Sequence, residues 1–178
     1  MPTLLRHAPG LLVLVMTAQA PTNAADGGVA MTATLETSNG KPVRLSALWS
    51  KPTVLFYEDR DSTALNQHVK DALSERGRRE GLQDKVAVVA VANVAPWNWF
   101  PARNFVLTAV RDIEKQVNVP VYLDFTGELS GSPWNLPPRT STVMVMDEQG
   151  RPVWRAQGRL SPAKLEELFK ALDQLIVH

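Results

Sequence analysis

The sequence predicts one α/β domain, a three-layer α/β/α sandwich around a mixed sheet that opens with an N-terminal β-hairpin. Three observations carry this reading. Thr53 to Tyr57 (TVLFY) and Val86 to Val94 (VAVVAVANV) are continuous apolar runs, as expected of strands covered on both faces. A helical pattern lies between them, so the three segments form a strand, helix, strand crossover with parallel pairing. Asn39-Gly40 near the start and Asp147-Glu148-Gln149-Gly150 near the end each separate two strand-like segments, which marks a hairpin at both ends of the fold.

The elements follow in order. Arg6, the apolar block Leu11 to Met16 (LLVLVM) and the small residues up to Ala25 have the layout of a secretory signal peptide. The block is too short to span a bilayer. Pro21 after Ala18-Gln19-Ala20 blocks cleavage there, so residues 1–24 are read as the leader, cut after Ala24 or Ala25, and residues 25–178 as the domain. Val29 to Glu36 alternates and pairs with Lys41 to Leu45 across Ser38-Asn39-Gly40. After the first apolar strand, Ser62 or Thr63 is placed to cap a helix that carries Leu65, Val69, Ala72 and Leu73 and ends at Gly77 and Gly81. After the second strand and the loop Ala95 to Phe100, Pro101 suits the first turn of a helix whose inner face is Phe105, Val106, Ala109, Val110, Ile113 and Val117. Val119 to Leu123 is a third strand, with Pro120 at an edge or a strand start. A long loop leads to the hairpin Thr142 to Met146 and Val153 to Ala156. Ser161-Pro162 opens a closing helix with Leu165, Leu168, Phe169, Leu172, Leu175 and Ile176 at helical spacing.

Composition excludes several function classes. The chain has 178 residues and no cysteine, so no thiolate exists for disulfide exchange or peroxide reduction, and no thiol for a lipid anchor. In an oxidising compartment such a fold stands on core packing alone. Basic and acidic residues number 19 and 18, and loss of Arg6 with the leader balances them. A neutral chain lacks the clustered Lys and Arg that nucleic acid requires, and Arg76, Arg78 and Arg79 between Glu75 and Glu80 read as a solvated helix end. No Gly-rich phosphate loop, dinucleotide fingerprint or calcium-loop spacing occurs, so neither a cofactor nor a metal is expected.

Two stretches resemble a known family. Gly40-Lys41-Pro42-Val43-Arg44-Leu45-Ser46-Ala47-Leu48 followed by Lys51-Pro52-Thr53-Val54-Leu55-Phe56-Tyr57 is similar to the entry of periplasmic thioredoxin-like (TlpA-type) and peroxiredoxin-like proteins into their first core strand. Thr142 to Asp147 with Gly150, Val153 and Gly158 resembles their closing hairpin. The resemblance implies a thioredoxin-like fold over most of residues 29–177. Arg60-Asp61-Ser62 and the stretch from Thr142 to Gly158 also resemble the cysteine-free, uncharacterised periplasmic YtfJ-type family. Aligning Phe56-Tyr57 with the family's aromatic pair puts Asp61 and Ala64 where the two redox cysteines would stand, and Ser141 at the usual cis-proline position. Both halves of the redox site are absent together.

The residues left at that end suggest binding. Glu58, Asp59, Arg60 and Asp61 crowd the carboxyl end of the first core strand, where open α/β sheets bind ligands. Such carboxylates could hold a cation or do acid–base work, and an arginine can grip an anion in a bidentate way. They also complement a helix N-terminus without any further function. Trp97, Trp99, Phe100 and Trp134 lie in Pro- and Asn-rich loops, either as interface anchors or folded back as caps on the core; Trp49 and Trp154 are assigned to packing. His68 reads as a lone surface histidine. In a thioredoxin-like topology the candidate binding residues Asp59, Arg60, Asp61, Trp97, Trp99, Arg139 and Ser141 gather at one end of the sheet. The first reading is a redox-inactive periplasmic or secreted binding or accessory protein for an envelope protein, peptide or small anion, with no membrane span after leader cleavage. The second is an enzyme with non-thiol chemistry at Glu58 to Asp61.

The leader assignment has a direct check. Intact mass of the exported protein is expected to place its first residue at Ala25 or Asp26. Retention of Met1 on the exported form contradicts it.

Overall fold

The structure is a computed structural model that describes residues 28–117 and 119–176, so the leader and its cleavage site lie outside the described residues. Seven strands form one mixed sheet in the order β2-β1-β5-β4-β3-β6-β7. These are β1 (Thr34–Glu36), β2 (Pro42–Arg44), β3 (Thr53–Glu58), β4 (Ala87–Asn93), β5 (Val121–Asp124), β6 (Thr142–Met146) and β7 (Pro152–Gln157). The helices are α1 (Gln67–Glu80), α2 (Ala102–Val117) and α3 (Pro162–Ile176). Among the described residues no helix is long and apolar enough to cross a membrane.

β3 is the organising strand. Every one of its residues is buried, with parallel β4 on one side and antiparallel β6 on the other. The N-terminal hairpin forms across Gly40 (φ +74°), although β1 is regular only from Thr34, and Leu45 already belongs to a 3-10 helix over Leu45–Leu48. Pro120 immediately precedes β5, an interior strand that pairs with both β4 and β1.

Chain handedness fixes the layers. The crossovers β3-α1-β4 and β4-α2-β5 step in the same direction along the sheet, and right-handed crossovers then put both helices on the same face. Val54, Phe56, Val143 and Val145 meet α1 and α3 there, while Val121 and Leu123 meet α2. The opposite layer is built from the segment around Met31 and Ala33, the Leu45–Leu48 helix, and a loop with a 3-10 turn at Glu128–Ser130. Leu129, Leu136 and half-buried Trp134 cover Leu55, Tyr57, Met144 and Met146 on that side.

Four sequence expectations are corrected. Helix α1 starts at Gln67 rather than at Ser62 or Thr63, because the Ser62 hydroxyl is bound to Asp59 in the turn before it. It runs through Gly77 and stops at Gly81, whose φ of +65° makes the left-handed cap. On α2 the covered residues are Ala102, Val106 and Val110, while Phe105, Ala109, Ile113 and Val117 are exposed; the apolar row is real, but the crossing of α2 over β5 turns it away from the sheet. His68 is half buried and its Nε2 lies 3.0 Å from the Leu160 carbonyl oxygen, which ties α1 to the start of α3.

One close approach closes the opposite layer. The Trp49 indole lies against Gly150, where an added Cβ would be 2.1 Å from the ring, and its Nε1–H donates to the Met31 carbonyl at 3.0 Å. Met31 N–H in turn donates to the Gly150 carbonyl at 2.7 Å, joining the N-terminal segment to the β6–β7 hairpin. Gly150→Ala therefore meets both a positive φ and a ring, and is expected to lower stability by about 2–4 kcal/mol. Gly40→Ala meets a positive φ in open space and is expected to cost only about 1 kcal/mol. Chemical denaturation of both variants checks the contrast.

Candidate functional site

The carboxyl ends of β3 and β4 are flanked by two polar networks, one on each face of the sheet. On the helical face, Glu58 is buried at the end of β3. Lys70 Nζ from α1 donates to its Oε2 at 2.6 Å, and the Ser141 hydroxyl donates to its Oε1 at 2.7 Å. Asn66, fully buried just before α1, donates through Nδ2 to Ser141 Oγ at 2.9 Å and to the Gly158 carbonyl at 2.8 Å. Its Oδ1 accepts the Leu160 N–H at 2.9 Å. One side chain thus fastens the entry of α1 to both ends of the β6–β7 hairpin and to the segment leading into α3.

Asp59 locks the adjacent turn. Its Oδ1 accepts from the backbone N–H of Asp61 and Ser62 and from the Ser62 hydroxyl, at 2.7 to 3.1 Å. Its Oδ2 accepts the Arg139 backbone N–H at 2.5 Å. Arg139 holds a left-handed backbone (φ +57°), so this carboxylate fixes the strained loop before β6 against the turn after β3. Both Asp59 oxygens are therefore occupied, and the Ser62 hydroxyl donates to a carboxylate that already accepts three backbone N–H groups. Among the described residues no three acidic or histidine side chains converge closely enough to hold a metal ion.

On the other face, Tyr57 OH donates to Asp124 Oδ2 at 3.0 Å. That commits its only proton, so the Ser130 hydroxyl, 2.8 Å away, donates to the phenol oxygen and accepts from Asn93 Nδ2 at 3.1 Å. The fully buried Asp124 carboxylate also accepts the Glu128 and Leu129 N–H groups, at 3.0 and 3.1 Å. It is solvated by fixed donors, and among the described residues no ion pair reaches it. Burial, with the Asp124 charge beside it, pushes the Tyr57 phenol well above its usual range.

The sequence-derived candidates divide into two groups. Asp59 and Arg139 touch, and Ser141 joins them through the neighbouring Glu58. Arg60 and Asp61 are exposed on the same turn, with no ion pair to either among the described residues. Trp97 and Trp99 are exposed rather than folded into the core. Their loop is tied the other way: Arg103, one turn on, bonds Asn98 at 2.9 Å, pairs with Glu36 of β1, and stacks 4.0 Å over Phe125 beyond β5. Trp134 packs against the core, and Trp154 is buried, as packing residues should be. Arg76 pairs with Glu80 and Asp173 and stacks over Phe169, while Arg78 and Arg79 are exposed. Asn66 and Lys70 escaped sequence reasoning, because an isolated polar residue at a helix start carries no periodic signal.

No protein-family model matches the chain, and no curated protein matches it in sequence. Solved structures do match. A conserved protein of Geobacillus kaustophilus is 20% identical with a TM-score of 0.60, over 85% of this chain and 82% of its own. A DsbF homologue from Corynebacterium diphtheriae is 20% identical with a TM-score of 0.58, over 88% and 97%. The exposed lipoprotein thioredoxin of Streptococcus pneumoniae is 18% identical with a TM-score of 0.52, over 82% and 100%. The fold is thioredoxin-like, and the chain that adopts it has no cysteine.

The helical-face network gives a sharp expectation. Asn66→Ala leaves Leu160 N–H and Gly158 C=O without their buried partner and is expected to destabilise by about 2–4 kcal/mol. Asp61→Ala, on the exposed side of the same turn, is expected to stay within about 0.5 kcal/mol of the parent. Urea denaturation of both measures the difference.

Proposed function

We propose that this chain is a redox-inactive thioredoxin-fold protein, exported to the periplasm or secreted, that acts as a binding or accessory module for an envelope protein, peptide or small anion. One observation carries the reading. Where thioredoxin chemistry needs a free thiolate opposite the loop before β6, Glu58, Asp59 and Ser141 are consumed by internal hydrogen bonds. Reactive groups are poised and partly exposed, whereas Glu58 and Ser141 are buried, Asp59 is half buried, and all three are satisfied by internal hydrogen bonds. What stays open is Arg60 and Asp61 on the turn after β3 and, on a separate loop tied toward β1 and β5, Trp97 and Trp99. Exposed tryptophans beside a few charges are the composition of binding hot spots. Export is supported by the leader-like N-terminus, and one structural neighbour is an exposed lipoprotein.

Two measurements test this. Insulin-reduction and peroxidase assays are expected to give background rates, since no sulfur nucleophile is present. Cross-linking in an envelope fraction, followed by titration with the purified captured protein, is expected to give binding that Trp99→Ala and Arg60→Ala each weaken by about 1–4 kcal/mol. The unfolding midpoint should hardly move. Loss of several kcal/mol of stability with binding intact would make both residues scaffold and contradict the reading.

A further inference from the structure

Three arginines from three separate segments meet at the turn between β3 and α1. Arg60 belongs to that turn and is exposed. Arg139, from the loop before β6, gives its backbone N–H to Asp59 Oδ2, and its side chain is exposed. Arg159, from the segment between β7 and α3, is also exposed and brings Nη1 to 3.5 Å from the Leu65 carbonyl oxygen. The segments of Arg139 and Arg159 run side by side, because the Gly158 N–H donates to the Ser141 carbonyl at 2.8 Å and carries the β6–β7 pairing past the ends of both strands. The same polar network fixes all three places. Asp59 holds the Arg139 loop in its left-handed backbone, and Asn66 holds the Gly158 carbonyl next to Arg159.

The charge of these arginines is unmatched. Among the described residues Arg76, Arg79, Arg103 and Arg151 each pair with a carboxylate, whereas no carboxylate lies within ion-pair distance of Arg60, Arg139 or Arg159. The nearby acids are already engaged: Glu58 is taken by Lys70, and Asp59 accepts three N–H groups and a hydroxyl. Asp61, exposed beside Arg60, is the opposing charge on the turn. Like charges gathered without counter-ions repel one another, and an anion bound among them relieves that repulsion.

We propose that this rim binds a phosphate group, carried by a small phosphorylated compound or by a phosphomonoester lipid headgroup. The proposal deepens the reading of this turn as a binding site and rests on it. A guanidinium fork fits carboxylate and phosphate alike, but a carboxylate offers its two oxygens in one plane, which suits a single fork. A phosphate monoester offers three strong acceptor oxygens and close to two charges, so it takes donors from several sides at once. Here the donors come from three sides: the turn, the loop before β6 and the segment after β7. A nucleic acid fits less well, because phosphates repeated along a strand call for a stripe of basic residues, and the whole chain carries a formal net charge of only +1.

The test is a titration of the full, isotope-labelled chain with inorganic phosphate at constant ionic strength, read from backbone amide chemical shifts. Saturable shifts are expected at Arg60, Arg139 and Arg159, and sodium chloride at the same ionic strength should not reproduce them. Arg60→Gln and Arg159→Gln should each weaken phosphate binding roughly tenfold, while Asp61→Asn, which removes the opposing charge, should tighten it about two- to fivefold. Arg111→Gln on α2 should change nothing, and the exposed positions of all these residues should leave the unfolding midpoint in place. No saturable response to phosphate, a response that chloride matches, or one indifferent to both Arg60→Gln and Arg159→Gln overturns the proposal. Vesicles distinguish the two sources. Sedimentation with phosphatidic acid but not phosphatidylcholine vesicles, lost with Arg159→Gln, assigns the phosphate to a lipid headgroup; phosphate binding without sedimentation assigns it to a soluble compound. If phosphate fails while Trp99→Ala and Arg60→Ala still weaken the captured envelope protein, the phosphate site alone is overturned and the binding module stands.

Discussion

Glu58 ends β3, a strand buried along its whole length, and a carboxylate in that position has to be matched or the strand cannot stay where it is. Lys70 supplies the charge and Ser141 a hydroxyl, while Asn66 holds Ser141 in place and reaches past it to Gly158 and Leu160. An uncompensated buried charge costs several kcal/mol, so these partners act as a set rather than as separate contacts. The entry of α1, the loop before β6 and the exit of β7 are thereby joined at one point. In thioredoxin-like chemistry the corresponding end of the sheet presents a reactive group. Here hydrogen bonds close it.

The opposite face repeats the logic with different groups. Asp124 is buried, no cation pairs with it among the described residues, and it is solvated by Tyr57, the Thr126 hydroxyl and two backbone N–H groups of the turn that follows it. That turn carries Leu129 into the core beneath Tyr57, so satisfying the carboxylate also positions an apolar cap. Because crossover handedness sends α1 and α2 to one face and α3 packs on that same face, short turns of this kind cover the other.

The sequence revealed the sheet more fully than the site. TVLFY announced β3 because a strand buried on both faces is apolar without interruption, and VAVVAVANV announced β4 in the same way although its helical face is only partly covered, while Asn39-Gly40 announced its hairpin through backbone conformation alone. The inner face of α2 was not legible. Rows 102-106-110 and 105-109-113 have the same spacing, and only the crossing of α2 over β5 decides which one is covered. Ser62 illustrates a different limit: it has the chemistry of a helix cap, but Asp59, three residues earlier, binds it first. Asp59 itself was legible as a candidate, whereas its grip on the Arg139 N–H, 80 residues away, depends on long-range packing that local pattern does not encode.

With every member of the polar network satisfied, this end of the sheet is expected to stay locked rather than open locally. Native-state hydrogen exchange at the Leu160 and Arg139 amides tests it most directly, since Asn66 and Asp59 accept those two N–H groups. Locking predicts that the Leu160 amide exchanges only through global unfolding, with an opening free energy matching the whole domain, and that Arg139 is protected well above the level of an exposed loop. Exchange of both amides at the rate of an unstructured chain would mean that the network opens locally, and would contradict the account.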